Sequence, residues 1–426
     1  MIEEVESRAT PVRRAAPNSA PTAVPLSEVG PAVEGRRPTG VGELDRVLGG
    51  GFVTGSVSLL SGEPGVGKST LILQVLMAAA ASGRDVLLAT AEESAEQVRL
   101  RAERLGALPS RLLVVADTVL PDILSVAREV RPDIFVVDSI QTVYDPELES
   151  APGSVSQVRE GAGQIVRLAK QEHMTTVLVG HVTKEGVVAG PRVLEHLVDT
   201  VLSFEGETDH ALRLLRATKN RFGSTGEIGI FEMAEAGLVA LADPSGVFLA
   251  DRRAGAADSV VACVLAGHRP LLVEVQALVT DSSAPIPRRS FSGLDGARVG
   301  LLAGLLEKRL RFPFGKRDIY AQAAGGVRLT EPGSDLAIAL ALVSAETEIP
   351  ITSTLVAVAE VGLAGELRRV SGLRRRLSEA VRLGFSHAIV PSTVEDSEIP
   401  PGVELLRMPD LASALRVSGL PAGTGA

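Results

Sequence analysis

The chain has 426 residues, 45% hydrophobic and 22% charged, enough for two α/β domains with real cores. Its net charge of −9 excludes a protein that coats nucleic acid through bulk charge, while leaving room for a local basic channel. One cysteine, Cys263, excludes an intrachain disulfide and a cysteine zinc cluster, and 3% aromatics without tryptophan excludes base stacking on many aromatic platforms.

Residues 1–33 are rich in Pro, Ala, Glu and Arg with no period, and read as a disordered tail. The opening MIEEVESRATPVRR is acidic and lacks an apolar run, so a secretory signal is not expected. No stretch reaches the ~18 apolar residues of a membrane span. A cytoplasmic protein without a membrane partner is expected.

From residue 34 the pattern changes. SVSLLSG, DVLLAT, LLVVAD, DIFVVDSI and TTVLVGH read as short buried strands, with amphipathic helical runs such as STLILQVLMAAAASG and SAEQVRLRAERLGA between them. Strands alternating with helices predict a parallel sheet covered on both faces. TVLSFEGE, ALRLLRATKN, EIGIFEM and GLVALAD read as antiparallel additions to that sheet. LADPSGVFLADRRAGA marks a boundary, giving domains over 34–244 and 245–426. The second is α/β too: VVACVLAGHRPLLVEVQALV predicts a hairpin, RVGLLAGLLEKRL a helix, and SDLAIALALVSAETE a helix buried on all sides. Cys263 lies in the apolar run SVVACVLAG and reads as a buried thiol.

Between the first strand and the first helix stands GEPGVGKST: Gly62, Glu63, Pro64, Gly65, Val66, Gly67, Lys68, Ser69 and Thr70. This is a phosphate loop. Its glycines let backbone amides wrap phosphates at a helix N-terminus, Lys68 reaches the β and γ phosphates, and Ser69 ligates Mg²⁺. ATP and Mg²⁺ are the expected cofactors. Asp138 closes the strand DIFVVD, where an acid holds the magnesium shell. Hydrolysis also needs a base to orient water. Glu92 and Glu93, at the tip of DVLLAT, both qualify, with Glu92 preferred. His181 ends TTVLVGH, where a γ-phosphate sensor would sit, and Lys184 opens a Gly-flanked loop.

GEPGVGKST, VVDSIQT, GHVTKEG and KNRFG together resemble a RecA-type ATPase. ATKNRFGSTGEIGIFEM, following GPRVLEHLVDTVLSFEGE, resembles the bacterial RadA (Sms) family, from about residue 36 to the end. The resemblance implies a RecA-like P-loop ATPase domain followed by a Lon-protease-like α/β domain. It implies a ring, usually a hexamer, that moves on single-stranded DNA. Branch migration on branched recombination intermediates follows from it, as does the recombinase RecA as a partner. The family begins with a four-cysteine zinc motif, which one cysteine cannot build. In the second domain, ungapped matching to Lon puts Ser334 near the nucleophile position and Arg374 in the place of the lysine base. Arginine stays protonated and cannot act as a base. The expectation is therefore a protease fold without proteolysis, with Ser334 a helix N-cap and Asp335 in the first turn. An ATP-dependent protease and a regulatory ATPase without DNA binding are the rival readings.

Lysine is scarce, 6 against 43 Lys+Arg together, so its placement is informative. Lys68, Lys184 and Lys219 all lie in these strings. In a ring, Lys219 and Arg221 are suited to reach a neighbour's γ-phosphate, with a DNA-phosphate role as the competitor. Lys184, by the same analogy, faces the channel. Arg288, Arg289, Lys316 and Arg317 are phosphate-binding candidates in the second domain.

Overall fold

The computed structural model describes residue 25 and residues 35–181, 193–206, 212–253 and 255–423. The chain divides into two units, Met1–Gly35 and Arg36–Ala426, and the second carries all the elements below.

Strands β1 (Arg36–Arg37) and β2 (Phe52–Val53) pair antiparallel, with helix α1 (Gly42–Leu48) between them in sequence. Strands and helices then alternate: β3 (Val57–Gly62), α2 (Lys68–Ala81), β4 (Val86–Thr90), α3 (Ala95–Leu105), β5 (Leu112–Ala116), α4 (Leu120–Val130), β6 (Ile134–Asp138), α5 (Val155–Gln171) and β7 (Thr175–His181). The apolar runs become strands because both faces are covered. β3 and β4 are buried at every residue. The helices begin where a side chain can cap them. Ser94 accepts from the Gln97 amide to open α3, and Ser154 does so for the Gln157 amide at α5. α5 buries Val158, Ala162, Ile165 and Ala169, a stripe at helical spacing.

β8 (Thr200–Glu205), β9 (Leu212–Asn220), β10 (Ile228–Ala234) and β11 (Gly237–Ala240) complete a nine-stranded sheet of order β11-β10-β9-β8-β3-β7-β6-β4-β5. β9, β10 and β11 are antiparallel additions, as expected. TVLSFEGE departs from the expectation: β8 runs parallel to β3. The chain re-enters the sheet at Asp199, whose amide binds the Val57 carbonyl at 2.8 Å, so β8 starts at the same end as β3.

The boundary stretch folds as α6 (Pro244–Leu249), and it is not slack. The buried Ser245 hydroxyl donates to Glu379 and accepts the Leu272 amide. Beyond it come β12 (Ser259–Ala266), β13 (Arg269–Asp281), β14 (Arg289–Ser292), α7 (Gly296–Leu310), β15 (Arg317–Ala323), α8 (Asp335–Thr347), β16 (Leu355–Ala357), β17 (Glu360–Val361), β18 (Leu367–Arg368), α9 (Leu373–Arg382), β19 (His387–Pro391), β20 (Glu404–Met408) and α10 (Leu411–Val417). Seven of these strands form a mixed sheet of order β14-β15-β13-β12-β16-β19-β20. α8 is buried continuously from Asp335 to Ser344, as a helix apolar on all sides must be. Cys263 is fully buried in β12, and burial pushes its thiol up.

The two sheets share packing. Ile228 and Ile230 of β10 belong to the same apolar cluster as α7 and α8. Arg269, at the start of β13, pairs with buried Glu43 of α1 and donates to the Leu241 and Ala242 carbonyls at 3.1 and 2.9 Å. Glu43 also accepts the Ile230 amide at 2.9 Å. A buried ion pair holds only when its remaining donors and acceptors are met, and here they are.

Two expectations in the second half are corrected. Ser334 occupies the residue before α8, but its hydroxyl caps nothing: it donates to the Glu331 carbonyl at 2.8 Å. Its backbone is already helical there, which turns the hydroxyl back along the preceding 3-10 turn, away from the helix amides. Asp335 does lie in the first turn, buried and paired with Arg298. The arginine facing the serine turn is Arg376, and Arg374 is exposed, bonded to the Ser397 carbonyl. Arg376 is fully buried, binding Glu331 and the Cys263 and Ser371 carbonyls. The helical period of α9 turns Leu373, Arg376, Leu377 and Ala380 inward together, which puts Arg374 on the outside.

Candidate nucleotide site

The parallel register aligns four strand ends at one edge. Gly62 of β3 lies beside His181 of β7, and Thr90 of β4 beside Asp138 of β6. The C-terminal edge of a parallel sheet is where such folds bind ligands. All the chemistry-bearing residues of the first domain that lie within the described strands β3, β4, β6 and β7 converge on it.

The phosphate loop leaves β3 at Gly62 and enters α2 at Lys68. Glycine is required at two points. A Cβ on Gly62 would stand 2.3 Å from the Phe204 carbonyl oxygen. Gly67 has φ +110°, and a Cβ there would meet the Met233 methyl at 2.7 Å. No side chain caps the first turn of α2, so its amides face the loop. Arg213 of β9, buried, donates to the Val66 carbonyl at 3.1 Å and braces the loop from behind.

Lys68 is 4% exposed. Its ammonium donates to the Gly62 and Glu63 carbonyls, both at 3.0 Å, and contacts His181 Nδ1 at 3.1 Å. Burial pulls its pKa down, while Asp138 and Glu92 oppose that. An ammonium only donates, so Nδ1 accepts and the proton sits on Nε2. His181 Nε2–H then donates to Glu92 Oε1 at 3.1 Å. The Ser139 hydroxyl donates to the same oxygen. Glu92 Oε2 carries no protein hydrogen bond among the described residues and is available to a water. Glu93 is turned away. Its carboxylate pairs with Arg101 of α3, and its backbone is fixed by the Thr90 hydroxyl at 3.0 and 3.1 Å.

Burial raises the Asp138 carboxyl above the ordinary range, and the nearby Ser69 hydroxyl opposes that. This pair of hard oxygen donors fits Mg²⁺, which takes one or two protein ligands and completes its shell with water and phosphate oxygens. Among the described residues no group of three or more His, Cys, Asp or Glu could hold a metal by itself. Bound there, Mg²⁺ would neutralise charge on the β and γ phosphates. Because the Asp138 shift is upward, its ionised form costs stability that returns as pH falls through the raised pKa. Asp138→Asn is therefore expected to raise the melting temperature at neutral pH in metal-free buffer while abolishing Mg²⁺-dependent hydrolysis. A lower melting temperature would contradict the burial argument.

Residues 37–113 match the ATPase family described as KaiC, and residues 310–394 match ChlI, a subunit of Mg-chelatase. The chain is 47% identical over 423 residues to the DNA repair protein RadA of Bacillus subtilis, covering 98% of this chain and 92% of that one. It is 47% identical over 395 residues to RadA of Listeria monocytogenes, 92% and 86% of the two chains, and 46% identical over 408 residues to RadA of Mycolicibacterium smegmatis, 95% and 86%. The chain belongs to the RadA family. Its first sheet is a RecA-like ATPase core, and its second is the Lon-like α/β domain that the resemblance implied.

Lys219 and Arg221 are not part of the phosphate site of their own chain. They stand at the C-terminal end of β9, opposite the start of β8, which pairs with the first residues of β3. Ser58 to Gly62 alone is roughly 13 Å of strand. The Lys219 ammonium donates to the Glu195 carbonyl and, at 2.8 Å, to the Val198 carbonyl. Arg221 pairs with Asp199 at 3.0 Å. Lys184 lies outside the described residues. Arg288, Arg289 and Lys316 are exposed on one end of the second sheet, but Arg317 is closed by Asp281 and Glu346. Sequence reading missed Ser139 and Arg213. Ser139 follows Asp138 directly, so its place was available. Arg213 lies far along the chain and nothing local marks it.

Proposed function

We propose that this chain is an ATP-hydrolysing motor on single-stranded DNA that drives branch migration in recombinational DNA repair. Glu92 orients and deprotonates the attacking water. Lys68 and the loop amides hold the phosphates, Ser69 and Asp138 hold Mg²⁺, and His181 senses the γ-phosphate. The observation that carries the reading is the Lys68–His181–Glu92 chain of hydrogen bonds. It ties base and phosphate lysine to the first residue of the segment bearing Lys184. Lys219 in turn donates to the Glu195 and Val198 carbonyls.

The family name of the relatives, DNA repair protein, supports the DNA role. A ring, expected to be hexameric, is part of this proposal. The distance of Lys219 and Arg221 from their own phosphate loop supports a reach toward a neighbour's γ-phosphate, with a DNA-phosphate role as the competitor. Arg288, Arg289 and Lys316 extend the DNA path, and RecA is the proposed partner recombinase. Proteolysis is not expected, because the residue facing the Ser334 turn is arginine. Lys219→Ala is expected to keep ATP affinity within about twofold and to impair DNA-stimulated hydrolysis about tenfold or more. ATP binding and steady-state hydrolysis with single-stranded DNA test this. Wild-type rates would remove Lys219 from the coupling step.

A further inference from the structure

β13 is 13 residues long, Arg269–Asp281, which spans about 40 Å. Its first residue is bonded into the ATPase half through Glu43, Leu241 and Ala242. Its last residue opens the loop 282–288, which returns to the edge strand β14. The tip of that loop is therefore carried on a stiff rod whose base is fixed in the motor.

The loop reads Ser-Ser-Ala-Pro-Ile-Pro-Arg. Ile286, between Pro285 and Pro287, is 82% exposed, more than any other large apolar side chain described. The two prolines fix their own φ and restrict Ala284 and Ile286 before them. The base of the loop is tied down. The Arg288 amide donates to Asp318 at 2.7 Å, and the Ser282 amide to the Lys316 carbonyl at 3.3 Å. Arg288, Arg289 and Lys316 flank the tip, exposed; Arg289 donates to the Phe314 carbonyl at 2.6 Å, and Arg288 and Arg289 hold the neighbouring Asp318 carboxyl below its ordinary range. Behind it, the open sheet face sets Leu278, 56% exposed, beside Tyr320.

An apolar tip on a rigid support, flanked by cations and backed only by Leu278 and Tyr320, offers little of the contiguous apolar patch that a protein partner needs. It matches duplex DNA, where apolar side chains enter between base steps while basic ones hold phosphates. We propose that the 282–288 loop is a strand-separating pin. Ile286 enters the stack at a fork, and Arg288, Arg289 and Lys316 grip the flanking phosphates. The proposal rests on the DNA-motor reading.

The test uses the full chain and a forked DNA duplex with 2-aminopurine at the first base pair of the fork. Wild type, Ile286→Ala and Ile286→Leu are compared in three readouts. These are single-strand-stimulated ATP hydrolysis, fork unwinding, and 2-aminopurine fluorescence on binding with a non-hydrolysable ATP analogue. Ile286→Ala is expected to keep stimulated hydrolysis within about twofold, to lose at least about tenfold in unwinding, and to lose the fluorescence rise. Ile286→Leu retains all three. Wild-type unwinding and fluorescence in Ile286→Ala would overturn the pin and leave the tip to a protein contact. If single-stranded DNA fails to stimulate wild type, the motor reading fails instead. The fluorescence readout, which needs no hydrolysis, then decides the pin separately.

Discussion

Lys68→Ala is expected to lose at least about a thousandfold in ATP hydrolysis, equivalent to about 4 kcal/mol of transition-state stabilisation. The ammonium is the positive charge at the heart of the phosphate loop, held on the Gly62 and Glu63 carbonyls and on His181. A methyl group offers no charge to the γ-phosphate and breaks the chain to Glu92 through His181. Folding is not expected to suffer equally. Burial pulls the Lys68 pKa down, against Asp138 and Glu92, so the charged form gains little stability from its place. The variant should therefore melt within a few degrees of wild type. Phosphate release and a thermal melt on the same sample separate the two effects. Turnover near wild type would remove the phosphate-loop assignment.

Glu92→Gln should lose about 10²–10⁴ in kcat while ATP affinity changes by less than about twofold. The amide oxygen can still accept from Ser139 and His181, so the geometry of the site persists. What is lost is the carboxylate oxygen that would take a proton from water. Glu93→Gln is the control. It weakens a partly exposed pair with Arg101, worth about 1 kcal/mol or less, and should leave kcat nearly intact. Measuring kcat and the ATP dissociation constant separately distinguishes a lost base from lost binding. If Glu93→Gln were the inactive variant, the roles of the two acids would be reversed.

Much of the first half could be read in advance because its signals are local. The phosphate loop is a fixed spacing of residues between a strand and a helix, and Asp138 closes an apolar run that can only be a buried strand. Choosing between Glu92 and Glu93 needed three dimensions. The choice turns on where Arg101 of α3 and Ser139 of β6's exit loop fall around them. The direction of β8 was hidden for a similar reason. TVLSFEGE looks the same whichever end it enters from, and only the Asp199–Val57 contact decides. In α9, three consecutive arginines give no sign of which one turns inward. Burial of Leu373 and Leu377 selects Arg376. The Glu43–Arg269 pair joins positions more than two hundred residues apart, and no short-range pattern announces it.

Under the proposed function, nucleotide chemistry in the first sheet is coupled to single-stranded DNA. The most direct measurement is the rate of ATP hydrolysis with and without single-stranded DNA at low and moderate salt. Stimulation that weakens as salt rises is expected, because the proposed grip is on phosphates. Hydrolysis that DNA leaves unchanged, with no binding by fluorescence anisotropy, would contradict it and point to a regulatory ATPase.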